Sequence, residues 1–89
     1  MMMSLKETFE AAVADSKQLP KRPDNETLLQ LYSLYKQATT GNMPADTPAP
    51  GMFDFVNKAK HDAWQKLSGM DADTAMEQYI STVEGLKAV

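Results

Sequence analysis

The sequence predicts an all-α fold, with four helices packed in one bundle. Two patterns and one absence point to it. Apolar side chains recur at helical spacing in four segments, and each segment opens on a Ser or Asp standing where a helix cap belongs. No segment shows the period-two alternation of a half-buried strand. At 89 residues without a cysteine, the chain is one domain whose core gets no help from disulfides or thiolate-bound metal. A compact bundle is the economical way for so short a chain to bury enough apolar surface.

The first helix spans about residues 4–17. Ser4 and Glu7 have the spacing of a capping box. Leu5, Phe9, Ala12 and Val13 line one face behind it, Lys17 lies just beside them, and the two prolines of "LPKRP" end the run.

The second helix runs from about 24 to 40, with Asp24 as cap and Gly41 as stop. Glu26, Gln30, Ser33 and Gln37 recur as a narrow stripe that is expected to face water. The rest of the helix is apolar, aromatic or Lys36, a non-polar arc roughly 220° wide against the roughly 100° of an ordinary surface helix. This helix must be covered on more than one side. Residues 41–53 hold "GNMPADTPAPGM", whose three prolines and two glycines make it a long surface loop.

Asp54 caps a third helix over about 54–68. Val56, Ala59, Ala63 and Leu67 form its expected inner stripe, Lys60 and Trp64 sit at i and i+4 on its flank, and Gly69 ends it. Asp71 caps the fourth, about 71–87, in which Ala75, Met76, Tyr79, Ile80, Val83 and Leu86 oppose Glu77, Ser81 and Glu84.

Composition excludes several functions. A net charge of −3 argues against nucleic acid as a partner, since phosphate neutralisation needs a basic surface. The opening "MMMSLKETFEAAV" lacks the apolar run of a secretory leader, and no segment approaches the roughly 18 apolar residues of a membrane span. The chain therefore reads as a cytoplasmic protein with no stable membrane insertion. With one histidine, His61, and no cysteine, neither a catalytic triad nor a metal centre can be assembled. His61 reads as an exposed, neutral helix residue; no catalytic residue, cofactor or metal is expected.

The charges are nonetheless uneven. Residues 71–87 carry Asp71, Asp73, Glu77 and Glu84 against Lys87, whereas residues 28–60 carry Lys36, Lys58 and Lys60 against Asp46 and Asp54. On the second helix Tyr32, Tyr35 and Lys36 stand at i, i+3 and i+4, where side chains touch. Two phenols and an ammonium make a poor core and a good receptor for something flat and anionic. With Lys17 and Lys60, and with surplus apolar surface beside them, the set suits a ligand that has an aromatic base, phosphates and an alkyl tail: acyl-coenzyme A. Taken singly, the tyrosines read equally as core with their hydroxyls at the rim and the lysines as solvated flanks. A helical module that docks a partner protein on its over-wide second helix is the alternative.

The motifs "LYSLYKQATTG", "PGMFDF" followed by "KAKHDAW", and "AMEQYISTVEGL" stand in order, and with them the chain from Phe9 to about Leu86 closely resembles the acyl-CoA-binding protein family. The resemblance implies an up-down-down-up four-helix bundle with an open bowl. It implies that Tyr32, Tyr35 and Lys36 contact the nucleotide and phosphates, that Lys60 pairs with the 3′-phosphate, that Lys17 lies near the phosphates, and that Tyr79 closes the site. It places Phe9, Val13 and Leu29 by the acyl chain. It further implies a monomeric carrier of medium- to long-chain acyl-CoA, a pool former without catalysis, with acyl-CoA-using enzymes downstream. The sequence departs from the family pattern at His61, where tryptophan is frequent, at Val13, where alanine is, at Val56, often lysine, and in a longer loop from Asn42 to Pro50. These bear on chain-length preference and affinity.

Overall fold

Each helix starts where its cap residue places it. In the computed structural model, which describes residues 3–88, Ser4, Asp24, Asp54 and Asp71 accept the N–H of the residue three positions on. Ser4 and Glu7 close a reciprocal capping box, with both hydrogen bonds at 3.1 Å. The helices are α1 (Leu5–Ser16), α2 (Asn25–Thr39), α3 (Phe55–Gln65) and α4 (Ala72–Lys87), and the described residues hold no strand. Gly41 and Gly69 terminate α2 and the turn after α3 at φ of 92° and 95°, a left-handed conformation that costs glycine nothing. The third helix is shorter than expected: residues 66–69 tighten into turns in which the Leu67 and Ser68 N–H groups bond three residues back. The expectation of no leader rests partly on Met1 and Met2, which lie outside the described residues.

Helix α4 packs against both α1 and α2, and α3 packs against α2 alone. The layer α1–α4–α2–α3 leaves α1 and α2 apart, with an open trough between them. Phe9 and Ala12 of α1, Leu31, Leu34 and Ala38 of α2, and Ala75, Tyr79 and Val83 of α4 form the core. Alanines at 12, 38 and 75 let the backbones approach, while fully covering Leu34 contributes about 2–3 kcal/mol.

Polar side chains tie the ends of this layer together. The Gln37 amide is 1% exposed and donates to Asn42 Oδ1 at 2.7 Å and to the Met70 carbonyl at 2.8 Å. Asn42 Oδ1 also accepts from the Gly69 N–H at 2.8 Å. Trp64 Nε1 donates to the Gly41 carbonyl at 2.9 Å. The end of α2, the start of the long loop and the α3–α4 turn thus share one network, and buried donors there are satisfied rather than orphaned.

Three expectations about helix faces are overturned. Glu26 and Gln30 are exposed, but Ser33 and Gln37, assigned to the same water-facing stripe, are buried. α2 is covered by α4 and α3 on two sides, so its dry arc extends over both residues. On α3, Val56 is 67% exposed rather than part of an inner stripe, and the buried residue is Trp64, expected on the flank. His61 is not exposed: its side chain retains 14% of its surface, because the loop carrying Met43, Pro44, Ala45 and Thr47 folds over it to enclose a small hollow of about 230 Å³.

Candidate functional site

Tyr32 and Tyr35 are three residues apart, about 60° around the helix axis at 100° per residue, so they straddle a ridge of α2. Each faces a different hollow. The first, about 760 Å³, lies in the trough between α1 and α2 and is lined by Phe9 and Val13 from α1, Lys17 at its C-cap, Tyr35 and Thr39 from α2, and Met76 from α4. The second, about 680 Å³, lies between α2 and α3 and is lined by Leu28, Leu29 and Tyr32 from α2 and Phe55, Val56 and Ala59 from α3. Lys60 stands on its wall, as do Arg22 and Asn25 where the chain enters α2.

The lysines cross between helices. Lys60 of α3 holds its Nζ 5.3 Å from the ring centre of Tyr32 on α2, and Lys36 of α2 holds its Nζ 4.8 Å from the ring of Trp64 on α3. Each lysine is half-buried and sets its ammonium against an aromatic face, an arrangement worth about 0.5–2 kcal/mol that keeps the charge beside the ridge. Tyr35, at 41% exposed, stacks on Phe9 at 6.1 Å with an interplanar angle of 25°, which leaves much of the phenol open to the trough. Lys17 is exposed at the trough's edge.

Not every expected side chain reaches these openings. Tyr79 is 4% exposed; its ring meets Phe9 edge-on at 5.1 Å, and its hydroxyl donates to Ser16 Oγ at 3.1 Å. It stands behind Phe9 as part of the core rather than across the mouth of the site. The expected acyl-chain trio is divided, since Phe9 and Val13 line the α1–α2 trough whereas Leu29 lines the α2–α3 hollow. Sequence reading missed Leu28, Phe55 and Ala59 in that hollow and Lys6 and Met76 in the trough. Leu28 and Phe55 carried a legible signal: one lies a helical turn before Tyr32 and the other opens α3 a turn and a half before Lys60.

A ridge carrying two phenols and two lysines, flanked by a mixed trough and a more apolar hollow, can take a ligand with a flat anionic head and a greasy tail. The family model "Acyl CoA binding protein" matches residues 6–83. The chain belongs to the acyl-CoA-binding protein family. Its relatives include the acyl-CoA-binding protein homolog of Drosophila melanogaster, 46% identical over 92% of this chain and 93% of that one. The enoyl-CoA delta isomerase 2 of Rattus norvegicus is 47% identical over 98% of this chain, but the match spans only 22% of that larger protein. Among solved structures, the crystal structure of Oryza sativa acyl-CoA-binding protein 2 superposes with a TM-score of 0.84 at 41% identity, covering 93% of this chain and 90% of that one. The four helices are those of the acyl-CoA-binding protein fold, and the family is one of non-enzymatic proteins whose ligand is acyl-CoA. No helix among the described residues is long and apolar enough to cross a membrane, and no group of side chains among them could hold a metal ion.

Proposed function

We propose that this chain is a cytoplasmic, monomeric carrier of medium- to long-chain acyl-CoA that sequesters the ester without catalysis and hands it to acyl-CoA-using enzymes. One observation carries the reading: the aromatic and lysine ridge of α2 separates two hollows of different character. The adenine lies over Val13 and Tyr35 in the trough, with Phe9 backing Tyr35 from the core and Lys17 at the trough's edge. Lys36, Lys60 and the Tyr32 hydroxyl meet the phosphates on the ridge. The alkyl chain runs past Tyr32 into the α2–α3 hollow, against Leu28, Leu29, Phe55, Val56 and Ala59. In this arrangement Phe9 and Val13 serve the nucleotide rather than the tail, and Tyr79 acts by fixing Phe9.

Magnitudes support a division of labour. Covering a palmitoyl tail at about 0.8 kcal/mol per methylene yields on the order of 10 kcal/mol, less where the chain stays wet. Each lysine–phosphate contact adds about 1.5–3 kcal/mol, reduced by water and salt at so open a ridge. Neither half alone reaches nanomolar affinity, which needs about 12 kcal/mol after the cost of association. Docking of a partner protein on α2 is the weaker reading, because α3 and α4 already cover the helix on two sides.

Isothermal titration calorimetry at one salt concentration tests this. Palmitoyl-CoA is expected to bind one-to-one and at least about 100-fold more tightly than free CoA or palmitate, since each fragment forgoes one of the two contributions. Equal affinity for the ester and either fragment would defeat the carrier reading.

A further inference from the structure

The α2–α3 hollow has a cation at each end. Lys60 and Tyr32 are paired at one end, and Arg22 and Asn25 line the other, where the chain enters α2. About 10 Å of helix, at about 1.5 Å per residue, separates Asn25 from Tyr32. Leu28, Leu29, Phe55, Val56 and Ala59 occupy the space between. An alkyl chain that starts at the ridge and follows this wall arrives at a guanidinium and a carboxamide. A plain methyl terminus has no use for either.

Arg22 is exposed, and among the described residues it forms no ion pair with a carboxylate. Asp24, two positions on, is committed to the Thr27 N–H at 2.8 Å as the cap of α2 and does not line the hollow. The guanidinium fork is therefore free to take a carboxylate in two parallel hydrogen bonds, and the Asn25 amide can donate a third. We propose that the hollow accepts acyl chains ending in a second carboxylate, the ω-carboxyacyl-CoA esters, with Arg22 and Asn25 holding the distal group. The inference deepens the carrier reading and rests on it.

The test compares palmitoyl-CoA with the mono-CoA ester of decanedioic acid, whose shorter chain matches the span of about 10 Å between Tyr32 and Asn25, on the wild-type chain, Arg22→Ala and Lys21→Ala, by titration calorimetry at fixed salt. Arg22→Ala is expected to weaken the dicarboxylic ester about tenfold more than it weakens palmitoyl-CoA, as loss of one charge-assisted contact near water implies. Lys21→Ala carries the same charge change one residue away, off the hollow, and is expected to weaken both esters alike. A selective loss below about threefold in Arg22→Ala, or an equal selective loss in Lys21→Ala, overturns the proposal, because a general field rather than a held carboxylate would then account for the result. Binding of palmitoyl-CoA with no such selectivity leaves the carrier reading standing. Failure of palmitoyl-CoA itself to bind removes both.

Discussion

Lys36 and Lys60 show how two ordinary surface charges are gathered on one ridge. Each lies over an aromatic ring of the neighbouring helix, at 4.8 and 5.3 Å, so two flexible side chains are held on one ridge before any ligand arrives. Holding a lysine in place lowers the entropy lost on binding a phosphate. Lys36→Ala and Lys60→Ala are each expected to weaken palmitoyl-CoA and free CoA about tenfold, since a charge-assisted contact is lost from the head group that both share. Palmitate affinity should not follow. Calorimetry on the three ligands checks this, and a loss confined to the acyl chain would place the lysines elsewhere. Tyr32→Phe retains the ring beneath Lys60 and should cost less than either lysine, reporting the hydroxyl alone.

The helices owe their beginnings to carboxylates at their first turns, and these make the fold sensitive to acid. Hydrogen bonding by Ser4, first its backbone and then its side chain, holds the Glu7 carboxyl below its ordinary value of 4.5. Thr27 and Thr74, in each case the side chain and then the N–H, lower Asp24 and Asp71 below 3.8. A group whose pKa falls on folding stabilises the folded state fully above its unfolded value and stops doing so as pH falls through its folded value. Stability should therefore be level down to about 4.5, the Glu7 reference, and decline below it, the Asp24 and Asp71 shares starting to go only below 3.8. Lys87 works in the opposite sense: hydrogen bonds first to Asp15 and then to Glu84 raise it above 10.5, so its contribution is present at neutral pH and lost in strong alkali. Urea midpoints across the acid range check the first statement. In Asp24→Asn, which keeps a capping oxygen but cannot titrate, the decline should shrink.

Across the molecule, one amide joins parts that the chain separates by more than thirty positions. Gln37 links α2 to the loop at Asn42 and to the α3–α4 turn at Met70, so it ties the end of α2 to the end of α3 without lining either hollow. Gln37→Ala removes one of the two donors to Asn42 Oδ1 and the side-chain donor to the Met70 carbonyl, and opens a small void. It should cost about 2–4 kcal/mol by chemical denaturation, the sum of lost bonds and lost packing. The substitution touches neither hollow's lining, so palmitoyl-CoA affinity should change less than about threefold when the variant is folded, well short of the lysine effect. A stability change below about 0.5 kcal/mol would mean the amide is not holding these elements together.

Local chemistry was enough to determine the number of helices, their caps and, α3 apart, their stops, and the residues that bear charge and aromatic rings. Ser4, Asp24, Asp54, Asp71, Gly41 and Gly69 act on their immediate neighbours through hydrogen bonds and allowed dihedrals, and short-range effects are legible in a linear chain. Joint occurrence of Tyr32, Tyr35, Lys36 and Lys60 was legible for the same reason, as spacing on two helices. Which faces stay dry was not. Ser33 and Gln37 look like water-facing residues until α4 and α3 close over α2, and His61 looks free until the loop folds across it. The split into a trough and a hollow, with Phe9 and Leu29 on opposite sides of the ridge, likewise follows from α4 separating α1 from α2 while α3 lies beside α2. Burial is a property of what packs from elsewhere in the chain, and periodicity along one helix carries no record of it.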